Sequence, residues 1–306
     1  MEPPEARLAD VDYLEVQCKS ALNPVKGMMF NWSLNPYMGC EHRCAFCYVR
    51  GFELRADRPS DDRYGRAVRV KINVAAVLRS ELSRRSWRKE TVVIGAATDP
   101  YQPAEGRYKL TRQCLMAMRD FCNAAAMITR GPMIVRDIDV LAELARRANL
   151  HITFSIPTID DEIWRRTEPG TAHPRQRLRA IEKLVTAGID VGVGMAPILP
   201  GLIDRPDGIE AVIKAARAAG ATGVWAGMLN LRPGTKEHFM SVLGKHWPEL
   251  VPRYEQAYRS RAYLPPALGE PAMKTVKRLR SLYEVSDRRR VILKPPPEPE
   301  QLSLLN

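Results

Sequence analysis

The hydrophobic and polar positions of this chain follow a regular alternation from about residue 91 onward. Short runs rich in β-branched residues alternate with segments whose apolar residues recur at i, i+3, i+4 and i+7, the spacing of one helix face. The runs predict buried strands, and they are TVVIGAA (91–97), AAMITR (125–130), HITFSI (151–156), DVGVGMAPI (190–198) and GVWAGMLNL (223–231). Strand and helix therefore alternate through the middle of the chain.

The intervening segments are predicted to be amphipathic helices. Two apolar stripes with helical spacing are Leu141, Leu144, Ala145, Ala148 and Leu178, Ile181, Leu184, Val185. Gly188 and Gly220 stand where two of the helices should end. Glycine adopts the left-handed backbone of a helix C-terminus without strain, so we expect both residues to be C-caps.

Two further segments complete the pattern. FNWSLNPY (30–37) predicts a first strand and NVAAVLRSELSRRSW (73–87) predicts the helix that follows it, which gives six βα units. Strands that are apolar on both faces, each followed by a helix, indicate a parallel sheet with helices outside it. Six units are too few for an ordinary eight-stranded barrel. We therefore predict an α/β fold, a partial (β/α)6 barrel with a wide mouth at the strand carboxyl ends.

The pattern divides the chain into four stretches. Residues 1–25 form an N-terminal extension and residues 26–235 the partial barrel. Residues 236–290 are predicted to be a basic helical extension. The last stretch, 291–306, contains KPPPEPEQLSLLN and is expected to be a disordered, proline-rich tail with an extended backbone.

Composition and charge narrow the classes of function. The chain has 47 Lys and Arg against 35 Asp and Glu, a net charge of +12. This charge either favours an anionic partner such as nucleic acid or reflects a basic surface that binds no such partner. It has no basic N-terminal segment followed by an apolar run and no charge-free stretch long enough to span a membrane, so we expect a cytoplasmic, non-membrane protein. Six cysteines in a reducing compartment indicate metal binding or catalysis rather than disulfides.

Three of those cysteines lie in one loop, directly after the first predicted strand. Cys40, Cys44 and Cys47 are spaced CxxxCxxC in NPYMGCEHRCAFCYVR, so their thiolates can converge on one centre. A structural zinc ion needs a fourth ligand, which His42 can supply, although zinc sites usually divide their ligands between two separated pairs. Three thiolates on a four-iron cluster instead leave one iron open to a cosubstrate.

CxxxCx-aromatic-C after the first strand of a six-unit barrel resembles the signature of radical S-adenosylmethionine (SAM) enzymes. The segments ATDPYQP, ITRGPMIVRDIDVL, EPGTAHPRQRLRAI and GVGMAPILPG are similar to the branch related to spore photoproduct lyase, described as DNA repair photolyase-like. The similarity covers about residues 18–235. It implies a [4Fe–4S] cluster that reductively cleaves SAM to a 5′-deoxyadenosyl radical, and an electron donor such as flavodoxin or ferredoxin.

The same resemblance implies roles for residues around the cluster. Thr98 and Asp99 correspond to the segment that contacts the methionyl amino group of SAM. Arg130 corresponds to the basic residue that pairs with the SAM carboxylate, and Ser155 to the hydroxyl residue near the ribose. Phe46 fills the aromatic position of the motif and is expected near the adenine.

One departure from spore photoproduct lyase concerns the hydrogen donor. That enzyme carries a cysteine near the end of the second strand, which returns a hydrogen atom to the product radical, whereas this chain has Ala96 and Ala97 there. Tyr48 matches a tyrosine of that hydrogen relay, and we assign it as catalytic, while Phe46 replaces a second tyrosine. The resemblance therefore implies an intact SAM-cleaving site with a changed substrate.

Several other residues are interpreted structurally. Cys114 and Cys122 fall on a predicted amphipathic helix and are expected to pack in the core. Glu168 either orients substrate or pairs with Arg165 or Arg175. The basic run 274–290 either contacts phosphates or forms a solvated helix face.

Three functions remain open from the sequence. The first is a radical SAM enzyme that acts on DNA or another nucleic acid, and the second is one that acts on a protein or small molecule. The third is a zinc-stabilised nucleic-acid-binding module without catalysis. The substrate, the fate of SAM and the oligomeric state are not fixed by any pattern in the sequence.

The C-terminal pentapeptide predicts a binding partner. QLSLL is similar to the short motif with which bacterial polymerases and repair proteins dock onto the sliding clamp, although a leucine replaces the favoured phenylalanine at the last position. An extended tail presents such a peptide at little entropic cost. The predicted contact residues are Gln301, Leu302, Ser303, Leu304 and Leu305.

Overall fold

The computed structural model describes residues 11–285. Its main feature is a seven-stranded sheet in the order β10-β9-β8-β7-β6-β3-β2. All neighbours in it are parallel except β2, which pairs antiparallel with β3. Its strands are β2 (Leu22–Pro24), β3 (Trp32–Leu34), β6 (Val92–Ile94), β7 (Ala125–Thr129), β8 (Leu150–Ser155), β9 (Val191–Ile198) and β10 (Gly223–Met228).

The sheet is a partial barrel, as predicted. Its six parallel strands are the six expected from the sequence, in sequence order. Within residues 11–285 the edge strands β2 and β10 do not pair, so the sheet stays open. Its residues are buried on both faces because helices pack outside, and this produces the continuous apolar runs of the sequence. The helices joining the strands are α2 (Val74–Leu82), α3 (Ala104–Tyr108), α4 (Leu110–Asp120), α5 (Ile138–Arg147), α6 (Asp161–Thr167), α7 (Pro174–Thr186) and α8 (Pro206–Ala218).

Local backbone signals place the ends of these elements. Gly188 and Gly220 have φ of 78° and 82° and lie one residue beyond the C-cap residues Ala187 and Ala219, so α7 and α8 end at left-handed glycines where the sequence predicted. The strand predicted over 91–97 ends at Ile94 because Gly95 turns the chain at a φ of 91°. The helix predicted over 73–87 is shorter and ends at Leu82.

A second, small sheet was not predicted from the sequence. It contains β1 (Asp12–Val16), β5 (Ala67–Lys71) and β4 (Tyr37–Met38), in the order β1-β5-β4. The segment predicted as one strand over 30–37 is therefore split between two sheets. Residues of β1 are exposed or partly exposed, so the strand carries no core-facing alternation that a sequence pattern could reveal.

The C-terminal part of the described chain is helical, as predicted. It contains α9 (Thr235–His246), α10 (Val251–Ala257) and α11 (Pro266–Leu282), and α11 packs on α8 and β10. Short 3₁₀ helices occupy Pro132–Asp137 and Pro248–Leu250. The end of the basic run and the QLSLL peptide lie outside the described residues. Among residues 11–285, no helix is long and apolar enough to cross a bilayer.

Candidate active site

The loop from Gly39 to Val49 places its three cysteines around one cavity. The loop follows β4 and leads into α1 (Arg50–Arg55). Cys40 and Cys44 are buried, Cys47 is partly buried, and all three are free thiols. The cavity is partly open to solvent. Its wall contains all three cysteines together with Gly95, Ala96, Thr98, Asp99, Ile128 and Arg130 from the carboxyl ends of β6 and β7.

The three thiols suit an iron–sulfur cluster. They come from one short loop, face one space, and are soft ligands of the kind that iron–sulfur clusters take. Burial raises the pKa of Cys40 well above its ordinary value and that of Cys44 to about 12. Both thiols are therefore protonated at neutral pH until iron displaces the proton, which couples cluster binding to proton release.

A buried arginine holds the backbone of the cysteine loop through hydrogen bonds. Arg50 donates from Nη1 to the carbonyls of Ser60 and Asp61, both at 2.7 Å, and from Nε to the Cys44 carbonyl at 3.4 Å. Its guanidinium lies 4.6 Å from the ring centre of Tyr64. The Tyr64 hydroxyl in turn lies 3.6 Å from the Sγ of Cys47. These contacts fix the loop backbone independently of any bound metal.

Two glycines allow other segments to approach the loop closely. A Cβ on Gly65 would lie 2.3 Å from the Cys40 carbonyl oxygen, and one on Gly170 would lie 2.3 Å from the Glu41 carbonyl oxygen. The Gly170 amide also donates to the His42 carbonyl at 3.2 Å. Only glycine fits at these positions, because the obstructing atoms belong to the backbone and cannot rotate away.

Thr98 and Asp99 connect the end of β6 to the cysteine loop and to β7. Thr98 donates from its hydroxyl to the Gly39 carbonyl at 2.6 Å. Asp99 accepts from the Thr129 hydroxyl at 2.7 Å and from the Arg130 amide at 2.6 Å, and its Oδ2 lies 3.3 Å from His42 Nδ1. Burial raises the pKa of Asp99, but these partners, His42 first, outweigh it and lower the pKa to about 2.

Arg130 follows β7 directly and is held by a buried ion pair. Its Nε donates to Glu168 Oε1 at 2.6 Å, and its guanidinium carbon lies 5.7 Å from the ring centre of Phe46. Glu168 also pairs with Arg177, whose Nη1 lies 3.2 Å from Glu168 Oε2, and both side chains are almost fully buried. Burial opposes ionisation of Glu168, yet the two arginines lower its pKa overall. Arg130 therefore faces the cavity with its orientation fixed.

Tyr48 lies in the cavity wall, whereas Ser155 is buried at the end of β8. Ser155 ends β8, is buried, and donates from its hydroxyl to the Ala196 carbonyl at 3.3 Å. Tyr48 lies in the cavity wall with 42% of its surface exposed. Its hydroxyl donates to the carbonyl of Ala96, so it reaches across to the end of β6 where the sequence has alanine.

The model of the family described as the radical SAM superfamily matches residues 34–207, more than half of the chain. This chain belongs to the radical SAM superfamily. The matched region contains the cysteine loop, Asp99, Arg130 and Ser155. Radical SAM enzymes bind a [4Fe–4S] cluster and S-adenosylmethionine, and both are cofactors of this enzyme. The zinc-stabilised, non-catalytic alternative is therefore set aside.

Relatives of this radical SAM enzyme span a wide range of sources. An uncharacterised protein of Mycobacterium tuberculosis is 39% identical over 293 residues, covering 95% of this chain and 85% of its own length. The radical SAM Nα-GlyT isomerase of Pseudomonas phage M6 is 28% identical over 174 residues, covering 56% of this chain and 34% of its own length. The sequence similarity therefore extends to at least one relative with a named radical SAM activity.

Solved structures of spore photoproduct lyase share the fold. A mutant of that enzyme in which serine replaces one cysteine superposes with a TM-score of 0.67 at 15% identity and covers 92% of this chain and 84% of that one. A double mutant with bound AdoMet and dinucleoside spore photoproduct gives a TM-score of 0.65 at 14% identity, with the same coverage. The resemblance to this branch, inferred from sequence motifs, is confirmed at the level of the fold.

The structure corrects or completes several sequence-based interpretations. Glu168 pairs with Arg130, 38 residues away, and with Arg177, rather than with Arg165 or Arg175. Cys114 lies in the core on α4, as predicted, whereas Cys122 lies beyond the end of that helix.

Gln102 was not recognised from the sequence. It is fully buried, accepts from the Glu41 amide at 3.0 Å and donates to the Thr98 hydroxyl at 2.8 Å. It therefore joins the end of β6 to the cysteine loop. Its partner in the loop is 61 residues away, and no local spacing signals such a contact.

Proposed function

We propose that this radical SAM enzyme acts on DNA, repairing or modifying a nucleotide. The observation that carries the proposal is the convergence of the cysteine loop, Arg130 and Tyr48 on one cavity at the strand carboxyl ends. Barrel enzymes collect their chemistry at this end. The net charge of +12 favours a polyanionic substrate over a neutral one.

In this proposal the thiolates of Cys40, Cys44 and Cys47 would hold the [4Fe–4S] cluster beside the SAM site. When bound, the cluster and SAM supply an adenosyl radical that abstracts a hydrogen atom from the substrate. Arg130 pairs with the SAM carboxylate, because its guanidinium is already oriented by Glu168 and lines the cavity. The Thr98–Asp99 segment meets the methionyl amino group.

Ser155 and Phe46 complete the proposed SAM site. Ser155 contacts the ribose, and it lies on the strand next to Arg130, since β8 pairs with β7 up to Thr129 and Phe154. Phe46 packs near the adenine, and its ring already lies beneath the Arg130 guanidinium. Both roles require that these two side chains face the barrel interior on the side of the cysteine loop.

Tyr48 is the proposed hydrogen relay. Its hydroxyl reaches the Ala96 carbonyl at the strand end where spore photoproduct lyase has its cysteine. Among the described residues of the cavity wall, the only thiols are those of the three cluster cysteines, so the phenol is the group suited to return a hydrogen atom. We expect Tyr48→Phe to keep the cluster and SAM cleavage while losing substrate turnover, measured as product formed per 5′-deoxyadenosine.

The substrate class is tested by an anaerobic assay for 5′-deoxyadenosine with the reconstituted enzyme. DNA carrying damaged or modified bases is compared with RNA and with a peptide pool, and Cys44→Ala is the inactive control. Stimulation by DNA above the substrate-free rate supports the proposal. Stimulation by peptide alone would move the function to a protein substrate.

Two partners belong to the same proposal. Flavodoxin or ferredoxin supplies the electron, since reductive SAM cleavage consumes one. The tail peptide from Gln301 to Leu305 docks onto the sliding clamp, which would bring the enzyme to DNA. A synthetic peptide of residues 295–306 is titrated against the clamp of the same organism, with Leu302→Ala plus Leu304→Ala as its control. Equal titration of both peptides would remove the clamp from the proposal.

A further inference from the structure

Exposed aromatic side chains flank the cavity on the side of α1. Tyr48 and Phe52 expose 42% and 36% of their surface, although most large apolar residues among 11–285 are buried. Their ring centres are 5.7 Å apart, at an interplanar angle of 86°. The guanidinium carbon of Arg55 lies 4.9 Å from the Phe52 ring centre. Successive turns of the chain thus present two aromatic rings and one arginine beside the cavity.

A second aromatic–arginine pair includes a residue next to Pro233, which contacts α1. Arg232 donates from Nη2 to the Tyr263 hydroxyl at 2.7 Å, and its guanidinium carbon lies 5.8 Å from that ring centre. Tyr263 is 59% exposed. The following residue, Pro233, packs so closely on α1 that a Cβ on Gly51 would lie 3.0 Å from its carbonyl oxygen. The second pair therefore lies on a segment that contacts α1, and we name the five residues together the aromatic–arginine rim: Tyr48, Phe52, Arg55, Arg232 and Tyr263.

The arginines of this rim carry uncompensated charge. In the part of the chain that the structure describes, no carboxylate forms an ion pair with Arg55 or Arg232. Neighbouring arginines differ in this respect, since Arg58 pairs with Glu53 at 2.5 Å and Arg63 pairs with Asp61 at 2.7 Å. An arginine held against an aromatic ring with no carboxylate partner is suited to bind a phosphate while the ring stacks a base.

We propose that the aromatic–arginine rim binds the single-stranded DNA that flanks the nucleotide inside the cavity. This proposal rests on the proposed function and adds that the substrate strand is single-stranded where it contacts the rim. A nucleotide that enters a barrel cavity must leave the double helix. Its unstacked neighbours then need new stacking partners, which Tyr48, Phe52 and Tyr263 offer, while Arg55 and Arg232 meet the phosphates. Two arginines held against exposed aromatic rings without a carboxylate partner favour this polyanionic occupant over a peptide.

Fluorescence anisotropy of the reconstituted holoenzyme with SAM tests the proposal, using a labelled single-stranded DNA oligonucleotide and its duplex. We expect the single strand to bind more tightly than the duplex. Phe52→Leu, which keeps an apolar side chain but removes the ring, should weaken binding of the single strand about tenfold. Phe52→Tyr keeps the ring and should bind as the wild type does. Arg55→Gln should reduce the slope of log affinity against log salt concentration by the amount that corresponds to about one phosphate contact.

The matched control is Leu282→Ala, which removes an apolar side chain that is 61% exposed at the end of α11, away from the rim. Phe52→Leu should keep the iron and sulfide content and the denaturant unfolding midpoint of the wild type, which shows that the variant is folded. If the wild type binds DNA but Phe52→Leu and Leu282→Ala bind equally well, the rim proposal is wrong and the proposed function stands. If the wild type binds no DNA, the proposed function itself is wrong.

Discussion

The buried carboxylate of Glu168 offers the sharpest test of how this site is built. Glu168 holds Arg130 at 2.6 Å and Arg177 at 3.2 Å, and the Arg177 side chain is 0% exposed. Glu168→Gln keeps the shape of the residue but leaves two arginines without their shared counter-charge. Breaking a buried ion pair from one side typically costs about 3–5 kcal/mol.

We expect the loss to fall near the lower limit, about 3 kcal/mol of unfolding free energy. Arg177 retains two hydrogen bonds of 2.8 Å, from Nη1 to the Ser155 carbonyl and from Nε to the Ala172 carbonyl, so its guanidinium is not left without acceptors. SAM affinity should also fall about tenfold, because Arg130 loses the contact that orients it. Glu168→Asp, which keeps the charge, should recover part of both losses.

The pH dependence follows from the sign of the pKa change. The folded-state pKa of Glu168 lies below its ordinary value of 4.5, so its stabilisation is fully present above that pH and is lost as the pH falls through the lowered pKa. The difference in stability between wild type and Glu168→Gln should therefore be constant near neutral pH and shrink only in acid.

Denaturant unfolding gives the stability, and equilibrium titration of the reconstituted enzyme gives the SAM affinity. Glu162→Gln is the control, because Glu162 is 62% exposed and forms only a surface pair with Arg166. If Glu168→Gln unfolds at the same denaturant concentration as Glu162→Gln and binds SAM as the wild type does, the assigned role of the buried pair is refuted.

Three further sets of variants separate the cluster from the SAM contacts. Arg130→Ala should keep full iron and sulfide content but bind SAM about tenfold more weakly, and unchanged titrations would contradict its role. Gly170→Ala should lose cluster content, since the new Cβ would lie 2.3 Å from a carbonyl oxygen of the cysteine loop; normal iron analysis would show that the loop tolerates the strain. Alanine at any cluster cysteine should abolish the cluster and SAM cleavage, whereas Cys114→Ala should retain both, as measured by iron analysis and 5′-deoxyadenosine formation. These cysteines are Cys40, Cys44 and Cys47.

Much of the fold and the centre of the site follow from local sequence alone. The six parallel strands were predicted because each is buried on both faces and therefore forms a continuous apolar run. The cysteines were found because three ligands within eight residues converge on one centre whatever the rest of the chain does. In both cases the signal lies within a single segment of the chain.

Contacts between distant segments were decided only by the tertiary structure. Glu168 lies 38 residues from Arg130, and its sequence neighbours include arginines that it does not contact. Gln102 and Gly170 contact the cysteine loop, which lies about 60 and 130 residues earlier in the chain. These contacts depend on how the strands and helices pack. The small sheet has the same origin, because β1 is too exposed for its residues to alternate in polarity. Periodicity reports which face of a segment is buried, whereas the choice of partner depends on packing in three dimensions.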